Sequence, residues 1–149
     1  MSEPTTIPAA SCVLITGGTK GLGLELVRDT LERGAKVATF SRSLTPEVEQ
    51  LLAEKPDQIY AAPLDINDEP GGKAFIKQAS AKLGPIDSLV NNAAIGQDSM
   101  HLHTSPERIE QIIQTNLTAP LIFTRQFIRH AMSKVGRGRI VNVTSICAQ

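Results

Sequence analysis

Residues Val13-Leu14-Ile15-Thr16-Gly17-Gly18-Thr19-Lys20-Gly21-Leu22-Gly23 constrain this chain more than any other stretch. An apolar run leads into a glycine-rich turn, and Leu24, Val27 and Leu31 then recur at helical spacing. The pattern predicts a buried strand, a tight turn and an amphipathic helix. Gly17, Gly21 and Gly23 lack a Cβ, so the backbone of the turn can come close to a ligand. The helix start points its unpaired N–H groups and the positive end of its dipole toward an anion. Thr16, Gly17, Gly18, Thr19, Lys20, Gly21, Leu22 and Gly23 are therefore candidate binding residues, and a pyrophosphate suits the chemistry of such a cradle.

Strand and helix signals alternate along the rest of the chain, which predicts an α/β fold with a doubly wound parallel sheet. The expected strands are Cys12–Thr16, Lys36–Ser41, Gln58–Ala61, Ile86–Asn91 and Arg139–Thr144. Gly34 stops the first helix; short and longer helices follow over 46–54 and 69–83, the latter closed by Gly84-Pro85. Ser105-Pro106 reads as an N-cap followed by proline at the first helical position, and it opens a long helix. Residues 1–10 read as a loose lead-in and 11–149 as one unit. In such a sheet ligands bind outside the carboxyl ends of the strands. Those ends carry Thr16-Gly17, Ser41-Arg42, Asp65, Asn91-Asn92 and Thr144-Ser145, all small, polar or charged.

The 149 residues suffice for one domain with a sizeable core. Fifteen Lys and Arg balance fifteen Asp and Glu, so neither nucleic acid nor an acidic membrane surface is expected as a bulk partner. Any polyanion must be held by local basic groups. Cys12 and Cys147 lack metal-ligand spacing and read as buried free thiols of a reducing compartment. The first ten residues hold no basic residue, and no apolar run spans a bilayer, so a cytoplasmic protein is expected. His101 and His103 read as solvated loop residues, and no metal site is expected.

Four ordered motifs, each on its predicted element, resemble those of the short-chain dehydrogenase/reductase family. Thr16 to Gly23 matches the family's Thr-Gly-x-x-x-Gly-x-Gly. Asn91-Asn92-Ala93-Ala94 is similar to its Asn-Asn-Ala-Gly, with alanine in the last place. Asn116 in Thr-Asn-Leu matches its helix asparagine, and Ser145 its strand-end serine. The likeness runs from about Cys12 to Gln149 and implies a Rossmann-type sheet. Within the family, Ile95 to Met100 and Gly138 to Asn142 look like the 3-oxoacyl-[acyl-carrier-protein] reductase and carbonyl reductase group.

The resemblance implies a nicotinamide cofactor, and the residues speak to which one. An acid after the second strand binds the ribose hydroxyls in NAD sites. Here Ser41-Arg42-Ser43 has no carboxylate, and Arg42 can clamp a 2′-phosphate, with Lys20 as a second cation. The expected cofactor is therefore NADP(H); the plainer alternative is two solvated surface cations. By resemblance Asp65 accepts from the adenine amino group, Ile66 gives a backbone contact, and Asn92 and Ala93 line the cofactor. An Asx turn is the alternative at Asp65.

Asn116 lies seven residues from Ile109, on the apolar face marked by Ile112, Ile113 and Leu117, so it is expected to be buried. Pro120 deprives its carbonyl of the usual partner and predicts a kink. By resemblance that carbonyl holds a water of a proton relay; a plain proline kink is the alternative. Ser145 by resemblance binds the substrate carbonyl or alkoxide. The family's Tyr-x-x-x-Lys does not occur here: Tyr60 is the single tyrosine and Lys134 the last lysine. A whole domain of this kind runs to roughly 250 residues. The expectation is thus a sheet cut after its fifth strand, from an enzyme reducing a 3-oxoacyl thioester or related ketone. A catalytically inactive NADP-binding module and a poorly folding remnant are the alternatives. A homo-oligomer through the long helix 106–133 completes the expected partners.

Overall fold

A computed structural model describes residues 11–96 and 103–145. The lead-in 1–10, His101, the stretch 97–100 and Cys147 lie outside the described residues. Five strands form one parallel sheet: β1 (Cys12–Thr16), β2 (Lys36–Ser41), β3 (Ile59–Pro63), β4 (Ser88–Asn91) and β5 (Arg139–Asn142). Their order is β3-β2-β1-β4-β5, so the sheet switches direction between β1 and β4. Helices α1 (Gly21–Glu32), α2 (Pro46–Glu54) and α3 (Glu69–Leu83) connect the first four strands. The long helix comprises α4 (Pro106–Ile113), α5 (Ala119–Phe127) and α6 (Ser133–Val135), separated by wide π-helical turns over Gln114–Thr118 and Ile128–Met132.

Alternation along β1 divides the core in two. Val13 and Ile15 join Val27 and Leu31 of α1 on one face. Cys12 and Leu14 join Phe75, Phe123 and Phe127 on the other. Both faces are covered, so β1 and the interior of β2 read as unbroken buried runs. Phe40 centres the second cluster, 5.0 Å from Phe75 and 5.2 Å from Phe123 between ring centroids. Caps fix two helix starts: Ser105, as the sequence predicts, accepts from Arg108 N–H at 3.3 Å, and Asp68 accepts from Gly71 N–H at 3.0 Å. Gly34, at φ 79°, ends α1.

Some expected boundaries shift. β3 runs through Pro63, which a proline can do because β3 is an edge strand. β4 begins at Ser88 rather than Ile86, and β5 ends at Asn142 rather than Thr144. The expected kink at Pro120 is taken up as a π-helical turn, in which Ala119 N–H bonds to Gln114 C=O five residues back. Asn116 is exposed rather than buried. Its neighbours Ile113, Leu117 and Leu121 are themselves 51, 58 and 64% exposed, so the face that carries them is open.

That stripe, with Val141 of β5 52% exposed, is an apolar surface of the sort that drives association. The 149-residue chain is expected to self-associate as its concentration rises. Leu117→Lys with Leu121→Lys should shift it toward monomer in sedimentation equilibrium. A wild-type chain that stays monomeric at high concentration would contradict this.

Candidate functional site

At the switch between β1 and β4 a cavity of about 510 Å³ opens beyond the carboxyl ends of the strands. The glycine turn supplies Gly17, Lys20, Leu22 and Gly23 to its lining, and β2 and the following loop supply Phe40, Ser41 and Arg42. Leu64, Asp65, Ile66 and Asn67 enter after β3, and Asn92, Ala93, Ala94 and Ile95 after β4. Arg108, Gln111 and Thr115 close it from the long helix. The charged groups of this lining are three cations, Lys20, Arg42 and Arg108, against one carboxylate, Asp65. A chain of zero net charge thus concentrates positive charge at one place.

The turn is built to be close. Gly17 has φ 71°, and a Cβ there would sit 3.0 Å from Ala93 Cα. A Cβ on Gly23 would sit 2.2 Å from the Gly17 carbonyl oxygen, so only glycine lets α1 pack against the end of β1. Thr16, fully buried, stitches β1 to β4. Its hydroxyl oxygen accepts the N–H groups of Asn92 at 3.0 Å and Ala93 at 2.9 Å. The Asn92 amide returns the bond, donating to the carbonyls of Thr16 at 3.0 Å and Gly17 at 3.2 Å. Two further threonines hold the turn from behind. Thr39 Oγ1 accepts from Gly18 N–H at 3.1 Å and donates to Ile15 C=O at 2.7 Å. Thr45 Oγ1 donates to Thr19 C=O at 3.0 Å.

The start of α1 stands in contrast to those of α3 and α4. No side chain caps it. Leu24 N–H bonds to Lys20 C=O at 3.3 Å, and the N–H groups of Gly21, Leu22 and Gly23 before it have no intrahelical partner. An uncapped helix start beside a cationic cavity suits a pyrophosphate, which would satisfy those donors. The residues present therefore fit a dinucleotide.

Of the sequence-predicted residues, Gly17, Lys20, Leu22, Gly23, Ser41, Arg42, Asp65, Ile66, Asn92 and Ala93 meet at this cavity. Thr16, Gly18, Thr19 and Gly21 do not line it; the first three are held in the turn's hydrogen bonds. Asp65 makes the Asx turn, its Oδ1 accepting from Asn67 N–H at 2.9 Å, and still faces the cavity. Asn116 does not line the cavity. Its side chain pairs at two points with Ile95, accepting from the backbone N–H at 2.9 Å and donating to the carbonyl at 2.8 Å. It thereby fastens the loop after β4 to the long helix. Ser145 lies exposed beyond β5. Tyr60 turns away from the cavity, its hydroxyl donating to Gln78 at 2.7 Å.

Sequence reasoning missed Thr39 and Thr45, and it named Asn91 only as part of a strand end and motif. Asn91 is buried, and its amide donates to Thr124 at 3.0 Å and Asn142 at 2.8 Å, tying β4 to the long helix and to β5. A polar residue inside a buried apolar strand was the available signal. Arg108 was missed as well; its guanidinium donates to Gly96 C=O at 2.5 Å across the cavity's rim.

A family model described as short chain dehydrogenase matches residues 11–149. The chain belongs to that family. It is 35% identical over 141 residues to a 3-oxoacyl-[acyl-carrier-protein] reductase, FabG, of Chlamydia pneumoniae, covering 92% of this chain and 56% of the relative. It is 34% identical over 139 residues to the ketoacyl reductase HetN of a Nostoc strain, covering 92% and 48%. The chain thus spans about half the length of the curated relatives it matches. Among solved structures, ElxO with NADP bound superimposes with a TM-score of 0.80 at 32% identity, over 92% of this chain and 56% of that one. A short-chain dehydrogenase of Streptomyces avermitilis does so with a TM-score of 0.84 at 26% identity, over 97% and 52%. Members of the family are oxidoreductases that use nicotinamide cofactors. Among the described residues no helix is long and apolar enough to cross a membrane, and no group of three or more His, Cys, Asp or Glu is placed to hold a metal.

Two outcomes follow from this construction. Thr16→Val keeps the shape of the side chain and removes the acceptor of two half-buried N–H groups. It should cost about 1–3 kcal/mol in urea unfolding for each donor left unsatisfied. Cys12, at the far end of β1, is pushed from 9.0 up to about 12, first by burial and then by the nearby Asp87 carboxylate, with Lys36 opposing. Because the folded value is raised, this group's contribution to stability is complete below pH 9 and is lost as pH rises toward 12. The folded thiol stays protonated at pH 8, so Cys12 should resist iodoacetamide until the chain is unfolded, as peptide mass mapping would reveal.

Proposed function

We propose that this chain is the NADP(H)-binding half of a carbonyl reductase that converts a 3-oxoacyl thioester or related ketone to the alcohol. The observation that carries the cofactor choice is Arg42. It lines the cavity directly after β2, beside Ser41, where an NAD site would present a carboxylate. Arg42 and Lys20 supply the charge for a 2′-phosphate, and the uncapped start of α1 supplies N–H donors for the pyrophosphate. Asp65 and Ile66 accept the adenine, and Asn92 and Ala93 line the passage between the two sides of the cleft. The reduced nicotinamide supplies a hydride when bound. Ser145 stabilises the negative charge that grows on the substrate oxygen. Asn116 is a positioning residue through its side chain, since it holds Ile95 at the cavity wall; its carbonyl lies in the π-helical turn and is the group that would hold a relay water. The relatives named as 3-oxoacyl and ketoacyl reductases support the substrate class.

A second reading applies to these 149 residues taken alone. Tyr60, their single tyrosine, is bonded to Gln78 outside the cavity, and no other phenol is available as a proton donor. A positioned general acid is worth roughly 10²–10⁴-fold. On that reading the 149-residue polypeptide binds nucleotide without reducing ketones. The exposed stripe on the long helix suits pairing with a second copy, and a cytoplasmic location suits a supply of NADPH.

Calorimetric titration decides the cofactor. NADP(H) should bind more tightly than NAD(H), and Arg42→Ala should remove about 1.5–3 kcal/mol of the NADP affinity, the scale of a hydrogen bond to a charged group, while changing NAD affinity little. Equal affinity for the two nucleotides would overturn the choice. An NADPH-consumption assay with an acetoacetyl thioester separates the two readings: the 149 residues alone should show no turnover, and a version extended with a family C-terminal half should show it.

A further inference from the structure

A second cavity, of about 450 Å³, lies between α3 and the C-terminal end of the long helix and shares no lining residue with the first. Its volume is that of a small-molecule site. Lys73 and Lys77 face it from α3, and His130 and Lys134 from the opposite helix, over a floor that includes Pro70 and Ala74. No Asp or Glu lines it. None of these four basic side chains makes a hydrogen bond or ion pair among the described residues. The fifth polar group is Ser80, whose hydroxyl is buried at the cavity and has no partner.

Lys73 and Lys77 are four residues apart on one helix, so two like charges stand beside each other on that wall, and Lys134 faces them from the other. The negative end of the long helix offsets the charge of Lys134. Lys73 and Lys77 sit in the middle of α3, where no such field helps them. A ligand that neutralises the lysines relieves their repulsion. It must carry at least two negative charges and several acceptor oxygens, and its body must tolerate the apolar Pro70 and Ala74. A single carboxylate has too little charge and too few acceptors for three lysines.

We infer that this cleft binds the phosphate end of a small phosphorylated molecule, held by Lys73, Lys77 and Lys134, at a site separate from the dinucleotide cavity. Lysine suits this task as a mobile point charge that meets phosphate oxygens from several directions.

The test is a nuclear magnetic resonance titration of the 149-residue chain with pyrophosphate as the probe, read at the His130 ring and at the amides of residues 73–80. Saturable shifts at those positions are expected. Lys77→Gln with Lys134→Gln should raise the half-saturating concentration about tenfold or more, since each lost partner is a hydrogen bond to a charged group. Lys82→Gln, on the same helix but outside the lining, should leave it unchanged, and the spectra away from the cleft report that each variant is folded. Shifts confined to residues 17–23, no saturation in the millimolar range, an unchanged affinity in the double variant, or an equal response to Lys82→Gln would each overturn the site. Citrate binding as tightly as pyrophosphate would overturn the assignment to phosphate.

Discussion

The cavity at the switch point depends on one hydroxyl. Thr16 ends β1, and its Oγ1 gathers the first two N–H groups beyond the ordered end of β4. Parallel neighbours normally satisfy such groups with a slanted ladder. Here the ladder stops because the two chains must part to open the switch point. The threonine satisfies the donors that parting leaves behind, and the Asn92 amide does the same for the carbonyls of Thr16 and Gly17. The opening can exist because the orphaned backbone groups at its root are bonded to side chains rather than to water. The glycines act after that point, letting α1 and the loop after β4 close to contact distance.

The electrostatics follow the same division of labour. Thr16, Thr39 and Thr45, which are neutral, bond the backbone of the turn. The charged residues Lys20 and Arg42 line the cavity and take no part in that scaffold. Charge can therefore be changed there without unlocking the fold, and a change at a threonine unlocks the fold without altering charge. Among the charged residues Asp65 and Arg108 are placed in both roles, since each lines the cavity with a side chain that also bonds a loop's backbone.

How much was legible in the chain follows from how local each determinant is. β1 and β2 are covered on both faces, so their boundaries emerge from composition alone, and Ser105-Pro106 announces α4 from two adjacent residues. The glycine turn, Ser41-Arg42, Asp65 and Asn92 were equally legible, because each stands at a strand end where small or polar residues have few other uses. Thr39 was not, since its partners Gly18 and Ile15 lie 21 and 24 residues away on the neighbouring strand. The π-helical turns were the least legible. Pro120 signals the first as an interruption without saying what form it takes, and Ile128–Met132 carries no corresponding proline. Asn116 was misplaced for this reason: helical spacing puts it with Ile109 on an apolar face, but spacing cannot say whether that face is covered.

The two faces of the sheet differ in how far they are closed. α1 and α2 complete one side, where Val27, Val37, Val48 and Ile59 are all fully buried. On the other side α3 and α5 seal the middle around Phe40, while the long helix leaves Ile113, Leu117 and Leu121 in the open. The contrast reaches the site. The turn, fixed from the closed side, has its backbone geometry set by buried hydrogen bonds, whereas the wall built from Ile95, Arg108 and Gln111 rests on exposed ones such as Asn116 with Ile95 and Arg108 with Gly96. Exposed bonds open at low cost. A ligand entering this cavity thus meets a rigid turn on one side and a yielding wall on the other, and contacts that cover the long helix would stiffen that wall without touching the turn.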